Sequence, residues 1–208
     1  QERLKRLLNN PDRPVQLIFS GKAHPADEPG KAFIQAIYQM SRKPGFAGKI
    51  VFVEDYDANI ARHLVSGGDV WLNNPVRPQE ASGTSGMKAV LNGGLTFSIS
   101  DGWWDEFADD RFGWTIPTAL HVDAHTRDLF EANSLYDILE HEIAPMFYDR
   151  DERGIPRRWV ARVRESMARL TPRFSTNRMM QDYLERYYLP GAAAYRARVG
   201  SGPEDTAP

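Results

Sequence analysis

A parallel β-sheet with helices on both faces is the fold class this sequence predicts, and three observations carry it. Short, mostly continuous apolar runs at 15–19, 50–53, 70–72 and 95–99 have the length and composition of strands buried on both faces. Helical patterns separate these runs, and strand–helix alternation of this length makes βαβ units. The 208 residues are 41% hydrophobic and 26% charged, as an ordinary globular chain should be. The architecture expected is α/β, Rossmann-like. In such a sheet ligands bind beyond the carboxyl ends of the strands, so the loops at 20–30, 54–57 and 73–85 are where chemistry belongs.

The elements follow in order. Residues 1–8 read as a charged amphipathic helix, met in its middle because Gln1 is not an initiator Met; the chain reads as a piece of something longer. Phe33, Ala36, Ile37 and Met40 recur at helical spacing between the first two strands. Asp57 is placed to cap a helix running through Val65, with Gly67-Gly68 ending it. A third helix fills 85–92, stopped by Gly93-Gly94. In the second half, Ser134 with Asp137 three residues on suggests a cap for a helix over 134–148, with Leu135, Ile138, Leu139 and Met146 as its apolar stripe. Trp159, Val163, Met167 and Leu170 mark another helix, and Met179, Met180, Tyr183, Leu184 and Tyr187 a last one. Residues 1–199 are expected to form one domain, its helical tail from about 134 packing back on the sheet, with 200–208 as a disordered tail.

Composition excludes several functions. With no cysteine, a disulfide scaffold, a thiolate nucleophile and a Cys-ligated metal site are ruled out. No apolar run approaches the roughly 20 residues needed to span a bilayer, and no signal peptide opens the sequence, so a soluble, cytoplasmic chain is expected. The 26 basic and 28 acidic residues leave a net charge of −2, which gives no support for a nucleic-acid partner. Seven arginines fall between Arg153 and Arg173, but Trp159, Val163 and Met167 already give that helix a buried face, so a solvated or inter-domain surface is the better reading. The five histidines show no ligand spacing suited to zinc, and no metal is expected.

Two segments carry candidate chemistry. Glu80-Ala81-Ser82-Gly83-Thr84-Ser85-Gly86-Met87-Lys88 presents a run of small residues, hence accessible backbone N–H groups, entering a helix at its positive end. Such a turn is suited to a phosphate. It is not a Walker A loop, because Met87 separates Gly86 from Lys88, and the penicillin-binding pattern is matched only at Ser85 and Lys88. Lys88 sits among Met87, Ala89, Val90 and Leu91, an apolar setting that would activate an amine for carbonyl chemistry. A flexible loop followed by a helix-surface lysine is equally open on these residues. Asp101-Gly102-Trp103-Trp104-Asp105-Glu106 follows the fourth run directly. It suits stacking on sugar faces, and equally a turn with core tryptophans.

Taken together, these residues resemble the α-glucan phosphorylases, the glycogen, starch and maltodextrin phosphorylase family. The family's cofactor motif reads E-A-S-G-T-G-N-M-K-x-x-x-N-G, and residues 80–93 follow it, with Ser85 and Gly86 where the familiar sequences have Gly and Asn. Those changes, with Asp101-Gly102-Trp103-Trp104, look like the divergent bacterial and archaeal branch. Gly21-Lys22-Ala23 through Lys31 is similar to the family's G-K-A-x-P stretch, Phe52-Val53-Glu54-Asp55-Tyr56 to F-L-E-N-Y, and Arg158-Trp159 through Arg178 to its C-terminal helices. The similarity runs from about residue 14 to 188.

The resemblance implies the C-terminal half of a GT-B glycosyltransferase, with pyridoxal 5′-phosphate bound covalently to Lys88. By the same resemblance Gly83, Thr84, Ser85 and Gly86 hold the cofactor phosphate, Tyr56 lies beside its ring, and Glu80, Ser82 and Gly83 bind the glucosyl hydroxyls. The implied reaction is phosphorolysis of α-1,4-glucan chain ends by inorganic phosphate, giving glucose 1-phosphate with retention. Asp57 stands where the family usually has Arg, and the family's Lys/Arg-rich motif before the strand at Val15 has no counterpart here. With the N-terminal half also absent, this fragment is expected to be inert alone. A homodimer is an open assembly. The rivals are a nucleotide-sugar glucosyltransferase of glycogen-synthase type, which has no use for Lys88, and a non-catalytic glucan-binding domain.

Overall fold

The structure, a computed structural model, describes residues 1–200. The predicted tail at 200–208 lies outside the described residues apart from Gly200, which closes the last helix. Helix α1 (Glu2–Leu8) leads to strand β1 (Leu17–Ser20), α2 (Glu28–Ser41), β2 (Ile50–Val53), α3 (Ala58–Gly67), β3 (Val70–Asn73), α4 (Thr84–Leu91), β4 (Leu95–Ile99), α5 (Trp103–Phe107) and β5 (Gly113–Ile116). Beyond these the chain is helical: α6 (Ala124–Ile138), α7 (Ala144–Tyr148), α8 (Arg157–Leu170), α9 (Thr176–Tyr183) and α10 (Leu189–Gly200).

Every strand pair is parallel, as predicted, but the hydrogen bonds divide the strands into two sheets. β1 pairs with β2, Leu17 opposite Ile50 and Ser20 opposite Val53. β4 lies between β3 and β5, with Val70 opposite Leu95 and Thr96 opposite Gly113. The sheets share one core, in which Leu17, Phe19 and Ile50 pack with Val70, Leu72, Leu95 and Phe97. Only β4, flanked on both edges, is buried at every residue. β1 is not buried on both faces: Leu17 and Phe19 turn inward, and Ile18 is 51% exposed. Strand β5 has no counterpart in the sequence reading, because Gly113-Trp114-Thr115-Ile116 lacks a continuous aliphatic run.

The helix ends follow local chemistry. Asp57 caps α3, accepting the Ile60 N–H at 2.8 Å, and the helix stops at Gly68 as predicted. Asp27 does the same for α2 through the Gly30 N–H at 2.9 Å. In α2 only Ile37 and Met40 of the predicted stripe reach the core, and Phe33 is 72% exposed. The helix expected to begin at Ser134 begins ten residues earlier in α6. Asp123 accepts both the Thr126 N–H (3.0 Å) and the Thr126 hydroxyl (2.6 Å), a stronger stop than mid-helix Ser134.

α6, α7 and α8 pack on the sheets through Leu135, Ile138, Met146 and Trp159. The tail beyond them does not pack back. Met179, Met180, Tyr183, Leu184, Tyr187, Tyr188 and Leu189 all stand exposed on α9 and its continuation into α10. An amphipathic stripe records that a face is apolar, not what covers it. Among the described residues, no helix is long and apolar enough to cross a membrane.

A second, smaller core lies beneath α4. Val90, Trp103, Trp104, Phe112 and Leu170 form it, with Met87, Phe107 and Phe174 packed against them. It anchors the segment that carries the candidate chemistry.

Candidate functional site

Parallel strands deliver their following loops to one end of the sheet. Beyond β3 the chain runs through Arg77 and Glu80 to Gly83, whose φ of 83° and ψ of 45° place it in the left-handed region that glycine adopts without strain. Gly83 is the cap of α4 and brings no side chain to that role. The contrast with α2, α3 and α6 is direct: there Asp27, Asp57 and Asp123 occupy the first-turn amides. At α4 the N–H groups of Gly83, Thr84 and Ser85 have no acceptor among the described residues, while the Gly86 N–H donates to the Gly83 carbonyl at 3.1 Å. Open first-turn amides at a helix N-terminus hold an anion.

The loop that delivers this turn is clasped by the segment after β4. Buried Asp101 accepts the Glu80 N–H at 3.0 Å through one carboxylate oxygen and its own neighbour's Gly102 N–H at 2.9 Å through the other. The Trp103 N–H donates to the Ser82 carbonyl at 2.8 Å. Arg77 donates to the Ser100 carbonyl at 2.7 Å and pairs with Asp105 at 3.0 Å. The Ser100 hydroxyl and Arg77 hold the Asp105 carboxyl below the usual carboxylate range. Motif reading missed Arg77 and the structural role of Asp101. Their signal lies in tertiary contacts, not in spacing.

Trp103 and Trp104 are core residues, 5% and 1% exposed, so of the two roles open for Asp101-Gly102-Trp103-Trp104 the structure supports the turn with core tryptophans. The Trp104 Nε1–H donates to the Thr115 hydroxyl at 3.0 Å. Neither indole leaves a face open to a sugar.

Lys88 does not sit in the apolar enclosure its neighbours suggested. α4 turns Gly86, Ala89 and Val90 inward, and Lys88 stands exposed on the opposite face. Helical spacing puts it one turn beyond Thr84 and Ser85, on the side where the open amides begin. Glu80 and Gly83 are half-buried and Ser82, Thr84 and Ser85 exposed; the Glu80 carboxylate has no partner among the described residues. Tyr56 is exposed at the carboxyl end of β2, just before the Asp57 cap. A cavity of about 790 Å³ opens beside β1 and β2, lined by Lys22, Lys31, Glu54 and Asp55, and does not include 80–88.

Other charged groups are spent on the fold. Arg162 stacks 4.2 Å over Trp114 and donates to the Gly113 carbonyl, and Arg157 and Arg169 pair with Asp151 and Glu165. Asp137, Glu140 and His141 lie close together, but Arg3 bridges the two carboxylates at 2.5 and 2.6 Å.

The family model described as carbohydrate phosphorylase matches residues 2–110, the stretch that holds Tyr56, residues 80–88 and Asp101 through Trp104. The chain belongs to the carbohydrate phosphorylase family. It is 52% identical over 200 residues to a glycogen phosphorylase of Mycobacterium bovis, covering 96% of this chain and 23% of that protein. It is 49% identical over 187 residues to a glycogen phosphorylase of Aquifex aeolicus, covering 90% and 27%. To a maltodextrin phosphorylase of Thermococcus litoralis it is 48% identical over 193 residues, covering 92% and 23%. The chain thus spans about a quarter of the length of the relatives it matches. The similarity carries through the helical second half as well as the sheets.

Proposed function

We propose that this chain is the cofactor-bearing part of an α-glucan phosphorylase, a hexosyltransferase of GT-B architecture. It would use pyridoxal 5′-phosphate to transfer a glucosyl unit from an α-1,4-glucan chain end to inorganic phosphate. The observation that carries the reading is the uncapped turn: three open amides at Gly83, Thr84 and Ser85 opening α4, with the amine of Lys88 one turn further on, in a chain of this family. A phosphate needs the amides and a carbonyl needs the amine, so the donor set fits the cofactor. Held there by Lys88 and the amides of 83–85, the group would supply a phosphate able to act as a proton donor and acceptor toward inorganic phosphate.

The rest of the work falls to the chain. Lys88 tethers the cofactor, and the amides of 83–85 aim its phosphate and offset its charge against a second phosphate nearby. Glu80, with a free carboxylate, accepts glucosyl hydroxyls, assisted by Ser82 and Gly83. Gly86 contributes packing, since its N–H is already bonded, and Tyr56 would flank the ring from β2. The glucosyl C1–oxygen bond breaks as a C1–O bond to phosphate forms, and the proton from phosphate goes to the departing chain-end oxygen. The remaining three-quarters of the enzyme would supply the other wall of the cleft and further cations, so this chain alone is catalytically inert.

The test is covalent mapping. Borohydride reduction of the cofactor-replete full-length protein, followed by digestion and mass spectrometry, should place a pyridoxyl group on the peptide containing Lys88. A pyridoxyl group on Lys22, Lys31 or Lys49 instead would break the assignment. An active protein with no such adduct returns the nucleotide-sugar transferase to first place.

A further inference from the structure

Residue 86 is glycine where the family's familiar motif has asparagine, and the structure holds a physical reason. A Cβ built on Gly86 would lie 2.8 Å from the Trp103 Nε1, 3.2 Å from its Cζ2 and 3.3 Å from its Cε2. A Cβ on Gly83 would lie 3.1 Å from Cδ1 of the same ring. One indole therefore covers both glycines of the turn. The ring cannot yield, because Trp104 and Phe174 pack edge-on against it at 5.2 and 5.1 Å. Its backbone N–H holds the Ser82 carbonyl at 2.8 Å, and Asp101, two residues earlier, holds the Glu80 N–H.

We propose that Trp103 and Asp101 are positioning residues that impose the conformation of the turn at 82–86 without touching what it binds, and that the Trp103 indole is what requires glycine at 86. This rests on the reading of the turn as a phosphate cradle. The brace sits on the buried side of α4 and leaves the Thr84–Ser85–Lys88 face free. Asp101 fixes the stem carrying Glu80, and Trp103 fixes the glycines from below. The pair thereby sets where the sugar-facing carboxylate stands relative to the open amides.

Two measurements on this chain test the idea, one of them without any ligand. In a urea-unfolding cycle, Gly86→Ala in the wild-type background should lower the folding equilibrium constant roughly tenfold by crowding the indole. In a Trp103→Leu background, which removes Nε1, Cε2 and Cζ2, the same change should be stabilising, because alanine is the better helix former. Failure of that sign to reverse overturns the brace. The second measurement compares reductive labelling of Lys88 by pyridoxal 5′-phosphate and by pyridoxal. The wild-type chain should prefer the phosphorylated reagent by roughly tenfold or more, since charge-assisted hydrogen bonds to the turn are at stake. Gly86→Ala and Asp101→Asn should bring that preference towards one, and Gly86→Ala with Trp103→Leu should regain it. A loss of labelling equal for both reagents would mean that these residues serve the fold alone, and would overturn their positioning role. No preference in the wild-type chain, with the sign reversal intact, would overturn the phosphate cradle and uphold the brace.

Discussion

Gly102 is the most constrained backbone position near the candidate site, and Gly102→Ala tests how the clasp is built. Its φ of 53° and ψ of −135° lie where side-chain-bearing residues are strained, at about 1–3 kcal/mol. A Cβ there would stand 2.6 Å from the Ser82 carbonyl oxygen and 2.9 Å from the Glu80 Cγ. The first of these is backbone, and it already accepts the Trp103 N–H, so it cannot retreat without breaking that bond. Crowding of this kind adds about 1–3 kcal/mol. The sum is about 2–6 kcal/mol, and with a urea m-value of about 2 kcal/mol/M the unfolding midpoint should fall by about 1–3 M. The assay is urea denaturation followed by tryptophan fluorescence and far-ultraviolet circular dichroism. Gly191→Ala is the control: nothing lies within 4 Å of that Cβ, and it sits in an exposed helix, so its midpoint should hold or rise. A midpoint for Gly102→Ala lowered by less than about 0.5 M, against that m-value, would refute the argument that the segment after β4 is locked on the turn.

Four further outcomes are expected. Glu80→Gln in the full-length protein should lower kcat/KM for glucan by roughly ten- to a hundredfold, the worth of one charge-assisted hydrogen bond, with the cofactor still bound; unchanged kinetics would move Glu80 out of the site. Leu170→Ala, at a side chain 1% exposed beneath α4, should cost about 2–5 kcal/mol in urea unfolding. Asp57→Ala should cost about 1 kcal/mol by removing the α3 cap, and a cost near zero would show that the Ile60 N–H is served by water. The hydrogen bonds from Arg111 hold the Asp109 carboxyl down to about 2, and Asp123 and Asp151 are lowered by their own hydrogen bonds. Carboxylates depressed in the folded state contribute stability that is fully present above about pH 4 and lost as pH falls through the folded value. The urea midpoint should therefore drop between pH 4 and 2, less steeply in Asp109→Asn, and a flat profile would contradict the shifts.

The alternation of apolar runs with helical spacing was enough to specify an α/β chain with parallel strands, because buried parallel strands need crossover helices and leave a period that survives in one dimension. The Asp57 cap and the glycine stops of α3 and α4 were legible for a related reason: a cap is a contact across three residues. The stretch at 80–88 was legible as a small-residue turn opening a helix with its amides unoccupied, since small residues before a helix expose amides whatever lies around them.

Other features depend on what meets across distance. Whether Ile18 and the stripe on α9 are covered is decided by neighbours, and the chain carries no signal for it. Trp103 and Trp104 could have faced a sugar or a core, and only the packing of Phe174, Phe112 and Gly86 around them decides for the core. Lys88 looked enclosed because its neighbours along the chain are apolar, yet a helix separates successive residues by about 100°, so Ala89 and Val90 are buried while Lys88 is not. The sequence by itself determined most of the elements, their parallel sense and the small-residue opening of α4, all properties of short-range spacing. The tertiary structure alone decided which face each element buries and which side chains brace the turn, because those depend on contacts between residues far apart in the chain.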